Sequence, residues 1–361
     1  MNGLIYSRLW RYFLLFLATP QENTIYIYQF HISAFFFISG VTARFDNKKL
    51  GQIAIEKFFV LLLPLFVMVV LGSFAEKLLY LNNYYELLSS YPYLDIVDKI
   101  CTFLKTGDLY IQFLGATWFL PVLYGIYIIQ KRISIAFDSD YIGHLISSTI
   151  IYLLGYYFIS NGIRIQIGIF PVDLIFVGQF FFCLGKIFKV YKREESSTLA
   201  YTITILFNLL VFYYFGNKIG LTVDYASRYL SSPTLNALEA INGICFCYCL
   251  SKLLIKLPTV IKNAIICIGR NSMAILIFHF TFFKIINLFF YLNNKISVDD
   301  LKSVVPNTEI GNRYYPLFVI VSIVGSIGIW KIIEKISFTN FLFGMSNKKY
   351  KEIASKVSDL N

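Results

Sequence analysis

The run Phe58–Tyr80, "FFVLLLPLFVMVVLGSFAEKLLY", constrains this chain more than any other feature. An apolar stretch of about 20 residues is long enough to cross a bilayer as a helix. The run is one of ten such candidates, at 9–19, 25–43, 58–80, 109–130, 142–160, 171–189, 198–216, 234–256, 264–290 and 314–335. The first is short, with Arg8 and Arg11 at its front. All are continuous rather than alternating, so they read as helices and not as barrel strands. The expected fold class is all-α: a polytopic membrane helix bundle of about ten transmembrane helices, the first short or truncated.

Composition agrees. Charged residues make up 15% of the chain and hydrophobic ones 57%, with a mean hydropathy of +0.64. Soluble domains carry about 25% charged residues. The net charge of +11 invites a nucleic-acid reading, but no basic run interleaved with aromatics forms a stripe for one. With a cytoplasmic N-terminus, the inward loops hold 22 of the 32 Lys/Arg and 9 of the 21 Asp/Glu. This asymmetry follows the positive-inside rule and accounts for the basic charge without nucleic acid. It places both termini in the cytoplasm.

The expected organisation is one membrane domain over residues 1–339 and a basic cytoplasmic tail over 340–361, with no appended soluble enzyme. No cleavable signal peptide is read in "LWRYFLLFLAT", which lacks a small-x-small site. The longest outward segment, about 81–108, is rich in Tyr and Asp; a second lies at about 291–313. Of the six cysteines, five fall in or beside apolar segments. "CFCYC" at 245–249 is no metal motif, because positions i, i+2 and i+4 of a helix do not share a face. No metal is expected.

The chain has only three histidines, His31, His144 and His279. His31 falls near the outer end of the second span. His279 falls nine residues after Arg270, or roughly 13 Å along a continuous helix, which also puts it in the outer half. Ionisable groups at membrane depth are rare and mark functional cavities, and histidine exchanges a proton near neutral pH. The two are expected to face a common polar cavity. The competing reading is an imidazole at the membrane interface. For His144, beside an inward loop, that plainer reading is preferred.

Five segments, taken in order, resemble one family. "FHISAFFFISG" is similar to the "FHMPLFFFLSG" segment of the integral membrane acyltransferase 3 family, which includes fucose 4-O-acetylase-like and other polysaccharide O-acetyltransferases. "ATWFLPVLY" resembles its "WFLPAL", and "IGRNSMAILIFHF" its "IGKNSLGIYLLH". "FPVDLIFVGQFFFCLGKIFK" is similar to its sixth-helix pattern and "LSSPTLNALEAINGICFCYCLSKLL" to its eighth. The resemblance covers about 25–335.

Residue by residue, His31, Ser39 and Gly40 match the first motif, Trp118 and Pro121 the second, and Asp173 the acidic position of the sixth helix. Asn271, Ser272 and His279 match the ninth. Plainer readings compete: packing for Gly40, a kink for Pro121, an interfacial anchor for Trp118, a helix cap for Asn271 and Ser272, and a favourable helix N-terminus for Asp173. The chain departs from the pattern at its start. Members begin with a helix of the type "WIDIAKGIAIILVVLGH", whose final histidine is the usual candidate base. The equivalent "RLWRYFLLFLATP" has no Asp, no Lys-Gly and no His. Either the start is late or the first helix is degenerate. The family's basic residue before the third-helix proline is displaced as well, to Lys57, seven residues ahead of Pro64.

The resemblance implies transfer of an acyl group, acetyl from acetyl-CoA, to a hydroxyl of a cell-surface or lipid-linked glycan. It implies His31 or His279 as the base, and Trp118, Asp173, Asn271 and Ser272 as substrate contacts. Arg44, Lys57 and Arg270, with Lys48 and Lys49, are charge partners for the CoA phosphates. The plainer reading of those cations is the positive-inside rule itself. Two other readings stay open: a glycan polymerase or flippase, and an inactive relative that binds glycan or a protein.

Overall fold

A computed structural model describes residues 29–45, 48–138, 140–191, 196–220, 223–230 and 232–335. Among these, eight helices are long and apolar enough to cross a membrane. They are α2 (Leu50–Leu81), α4 (Gln112–Phe137), α5 (Tyr141–Ser160), α6 (Val172–Tyr191), α7 (Thr198–Ile219), α8 (Pro233–Leu254), α10 (Ser272–Leu292) and α11 (Tyr315–Glu334). A shorter apolar helix, α1 (His31–Thr42), precedes them. Two more, α3 (Ile96–Thr106) and α9 (Thr259–Arg270), are amphipathic. Among the described residues, sheet is confined to two antiparallel hairpins, β1 (Gln166–Ile167) with β2 (Phe170–Pro171), and β3 (Val223–Asp224) with β4 (Tyr229–Leu230). The chain is a polytopic all-α bundle, as its apolar runs predict.

Span edges move where charges are neutralised locally. The expected span at 58–80 begins at Leu50, so Lys57 lies inside a helix rather than ahead of one. Lys48 pairs with Glu56 at 2.6 Å, and Lys57 Nζ sits 3.8 Å above the Tyr127 ring. A wide π turn, Phe58–Leu62, accommodates Pro64, which cannot donate to the preceding turn. The expected 264–290 splits in two. Asn271 ends α9 and Ser272 opens α10, so no continuous helix links Arg270 to His279. The candidate at 9–19, the start of 25–43 and the tail at 340–361 lie outside the described residues.

The chain forms two compact units. The first takes the described part of 1–46, Ile129–Ile165 and Val172–Ser272. The second takes the described parts of 47–128 and of 273 onward, together with Gln166–Pro171.

In the first unit, α6 packs between α1 and α5. A Cβ at Gly40 would overlap the Phe182 carbonyl, and one at Gly185 that of Phe37. Small residues thus let the two backbones meet, as membrane packing requires. This is the packing reading of Gly40. The β3–β4 hairpin is tied to the same helices. Asp224 accepts from Ala226 N at 2.9 Å, which closes the turn, and buried Tyr225 shares a 2.6 Å hydrogen bond with Ser33 of α1. Asn236 of α8 donates to the same phenol at 3.2 Å. Burial pushes the Tyr225 phenol up to about 12.

In the second unit, Phe283, Ile286 and Phe290 of α10 pack on Ile310 and Phe318. Glu76 and Lys99 form a buried ion pair beneath Tyr85 and Tyr93. Tyr80 stacks on Tyr93 at 3.9 Å, which orders the tyrosine-rich segment after α2.

Candidate functional site

His279 lies two turns into α10, half-buried. Its Nδ1 is 2.8 Å from the Ile275 carbonyl and 3.1 Å from that of Leu276. Carbonyl oxygens only accept, so Nδ1 carries the ring proton and Nε2 of the neutral imidazole keeps its lone pair. Nε2 has no hydrogen-bond partner among the described residues. Phe280 lies against one face at 4.1 Å between centroids, and Phe283 meets the ring edge-on at 5.7 Å. The helix therefore fixes the tautomer and the rings fix the plane, which is the arrangement of a poised base.

Trp118 ends a 3-10 turn, Gln112–Trp118, that opens α4. It is half-buried and edge-on to Phe119 at 6.4 Å. Lys57, Trp118 and His279 belong to the second unit. His31, Arg44, Asp173, Arg270, Asn271 and Ser272 belong to the first.

His31 is the half-buried first residue of α1. Arg44 is exposed just beyond the end of that helix, and Arg270 is exposed in the last turn of α9. Asn271 donates through Nδ2 to the Cys267 carbonyl at 2.8 Å, so one of its amide hydrogens closes the end of α9. Ser272 is half-buried at the start of α10.

Asp173 is fully buried in the first turn of α6. Arg228 binds both of its oxygens, Nε to Oδ2 at 2.5 Å and Nη2 to Oδ1 at 3.3 Å. Bidentate pairing of this kind orients a carboxylate as well as holding it. Arg228 sits at φ 61° before β4, a left-handed conformation uncommon for a residue with a side chain. No motif pointed to it, because its partner is 55 residues away in the chain.

His144, for which the sequence favoured an interfacial imidazole, is fully buried in the first unit. It is bonded to the Asp138 carbonyl through Nε2 at 3.1 Å, with Lys186 Nζ 3.3 Å from Nδ1. Its neighbour Gln130 accepts in turn from Gln179 Nε2 at 2.7 Å. Glu239 of α8, which no motif named, is fully buried, and among the described residues neither carboxyl oxygen has a hydrogen-bond partner. Among the described residues no group of three or more His, Cys, Asp or Glu is placed to hold a metal.

A family model described as an acyltransferase domain matches residues 2–331, nearly the whole chain. The chain belongs to the acyltransferase 3 family. No curated protein and no solved structure matches it. Membership in this family of membrane acyltransferases, together with eight long apolar helices, makes the chain a multi-pass membrane protein. The imidazole of His279 has the tautomer that base chemistry at Nε2 requires.

Proposed function

We propose that this acyltransferase moves an acetyl group from acetyl-CoA to a hydroxyl of a cell-surface or lipid-linked glycan. It would sit in the cell membrane with both termini cytoplasmic. The observation that carries the reading is the state of His279, whose Nδ1 is committed to two backbone carbonyls while Nε2 keeps its lone pair. The acceptor oxygen attacks the thioester carbon as Nε2 takes the hydroxyl proton. The tetrahedral intermediate collapses, the C–S bond breaks, and the leaving thiolate recovers that proton from the imidazolium. The carbonyls of Ile275 and Leu276 stabilise the transient cation through Nδ1–H. His31 is the second candidate base. Arg44, Lys57 and Arg270 are proposed as partners for the CoA phosphates, and Asn271 and Ser272 as contacts to the thioester. Trp118 and Asp173 are proposed on the acceptor side. Asp173 would act there through the Arg228 pair that holds it.

The test is transfer of radiolabel from acetyl-CoA to the glycan fraction of membranes carrying the full chain. Label should appear in the glycan and be released by mild base, as an ester is. Membranes that take up no label, while the chain is present in normal amount, would refute transfer. Glycan binding in those same membranes would then leave the inactive-relative reading standing.

A further inference from the structure

The second unit holds an open pocket of about 610 Å³ that adjoins the Trp118 turn and, through Phe280, the end of the ninth-helix motif. Ligand pockets run from about 300 to 1,000 Å³, so a monosaccharide or disaccharide unit fits. Its wall joins four pieces of chain: Ser90 and Tyr91 from the tyrosine-rich segment, Gln112 and Gly115 from the 3-10 turn, Phe280 from α10, and the stretch from Asp299 to Val304. Tyr91 and Gly115 are exposed, so the mouth opens outward from the unit.

The polar groups of this wall are pre-set. Lys284 donates to the carbonyls of Leu301, Lys302 and Ser303 at 2.6, 2.8 and 3.0 Å, which pins that stretch to α10. The same ammonium reaches Gln112 Oε1 at 3.3 Å. The Gln112 amide is therefore oriented with Nε2 towards Ser90, donating to its Oγ at 2.5 Å. Ser90 accepts that bond and keeps its own O–H as a donor for a ligand. Ser303 does the reverse: its hydroxyl donates to the Val305 carbonyl at 2.9 Å and keeps its lone pairs for a ligand. The charges at the rim are one of each sign, Asp299 and Lys302, paired at 3.7 Å. Two aromatic rings complete the wall. Tyr110 meets Tyr91 edge-on at 6.0 Å, and Phe280 is braced by His279.

A wall whose rim charges balance, with fixed donors, fixed acceptors and two braced aromatic faces, matches a ligand that is neutral, rich in hydroxyls and apolar on one face. That is a pyranose. We propose that this pocket binds a neutral saccharide unit of the acceptor, with Tyr91 stacking on its apolar face and Ser90 and Ser303 reading its hydroxyls. Phe280 then forms both the pocket wall and one face of the His279 ring. The proposal rests on the acyl-transfer reading for its role in catalysis. The binding itself does not require transfer.

The test uses the full chain in lipid nanodiscs, without acyl donor, in saturation-transfer NMR. The probes are the methyl glycosides of a hexose, a 6-deoxyhexose and an N-acetylhexosamine, with sorbitol as a hydroxyl-rich control lacking a ring. Saturation should pass to at least one glycoside, concentrated on the C–H groups of one sugar face, and not to sorbitol. Tyr91→Ala, on an exposed segment, should weaken that binding about tenfold. Ser90→Ala and Tyr91→Ala should raise the acceptor KM more than they lower kcat. Equal transfer to sorbitol, no transfer to any glycoside, or glycoside binding unchanged in Tyr91→Ala would overturn the pocket assignment. Glycoside binding that Tyr91→Ala removes, in a chain that moves no acetyl label, would uphold the pocket and defeat only the acyl-transfer reading.

Discussion

His144 and His279 both sit inside apolar helices, and the chain spends their rings differently. Both nitrogens of His144 are committed: Nε2 to the Asp138 carbonyl, Nδ1 to Lys186 and, at 3.4 Å, to the amide of Gln130. Its ring is a knot joining α4, α5 and α6. His279 has one nitrogen committed to its own preceding turn and one left over. The residue type is the same and the burial is not the deciding difference. What separates a structural imidazole from a chemical one is whether the protein has used every valence. Two carboxylates repeat the contrast. Both oxygens of Asp173 are held by Arg228, and among the described residues neither oxygen of Glu239 is held.

The strongest way to break the comparison is His279→Ala. General base catalysis contributes about 10²- to 10⁴-fold, so transfer should fall by at least about a hundredfold. The chain should still insert and accumulate, because the ring's hydrogen bonds lie within its own helix. Transfer from acetyl-CoA, normalised to folded protein in the membrane, measures this. Retained transfer would move the base elsewhere, with His31→Ala the next variant to assay.

Arg228→Ala sharpens the carboxylate half. It leaves Asp173 fully buried with no counter-ion, and breaking a buried pair this way costs about 3–5 kcal/mol. The thermal midpoint in detergent should drop sharply and abundance with it. Asp173→Asn with Arg228→Ala should recover part of that loss, since no isolated charge remains buried.

These partners also show what the sequence could and could not reveal. Spans were legible because an apolar run of membrane length has few other uses. Their edges were not, where a charge is neutralised nearby: Lys57 over Tyr127, Lys48 on Glu56. Nor was the break at Asn271, since α9 is apolar on one face and continues the pattern of α10 in composition alone. The short-range bonds of His279, three and four residues back, belong to the helix that its motif already implies. Arg228 with Asp173, and Lys186 with His144, are paired across 55 and 42 residues by folding, and nothing local in either segment announces the partner. Lys284 and Gln112, 172 residues apart, are the same case.

His144→Leu tests the saturated imidazole directly. The change removes one buried knot of hydrogen bonds and leaves the Asp138 carbonyl and Gln130 amide short of a partner, worth about 1–3 kcal/mol. Lys186 retains Ser134 at 2.7 Å, so its ammonium is not stranded. The expected result is a lower thermal midpoint with transfer per folded molecule unchanged. Loss of transfer at unaltered stability would place His144 in the chemistry and end the distinction drawn from its spent nitrogens.

The smallest expected change in stability is the most informative about how far the rule extends. Glu239 is fully buried in α8, and neither oxygen finds a hydrogen bond among the described residues. A buried carboxyl and an amide of the same shape both leave polar atoms without a protein partner, so the exchange changes little. Glu239→Gln should therefore leave the thermal midpoint where it is or raise it slightly, a change within about 0.5 kcal/mol of zero. The companion measurement is transfer. Unchanged transfer would restrict the argument from unused valences to His279. A fall of tenfold or more at undiminished stability would mean that this carboxyl, like Nε2 of His279, is kept without a protein partner because a substrate supplies one. Substrate protection separates that case from an indirect effect. Acetyl-CoA or the acceptor glycan should raise the midpoint of the native chain, and the ligand that Glu239 meets should raise it less in Glu239→Gln.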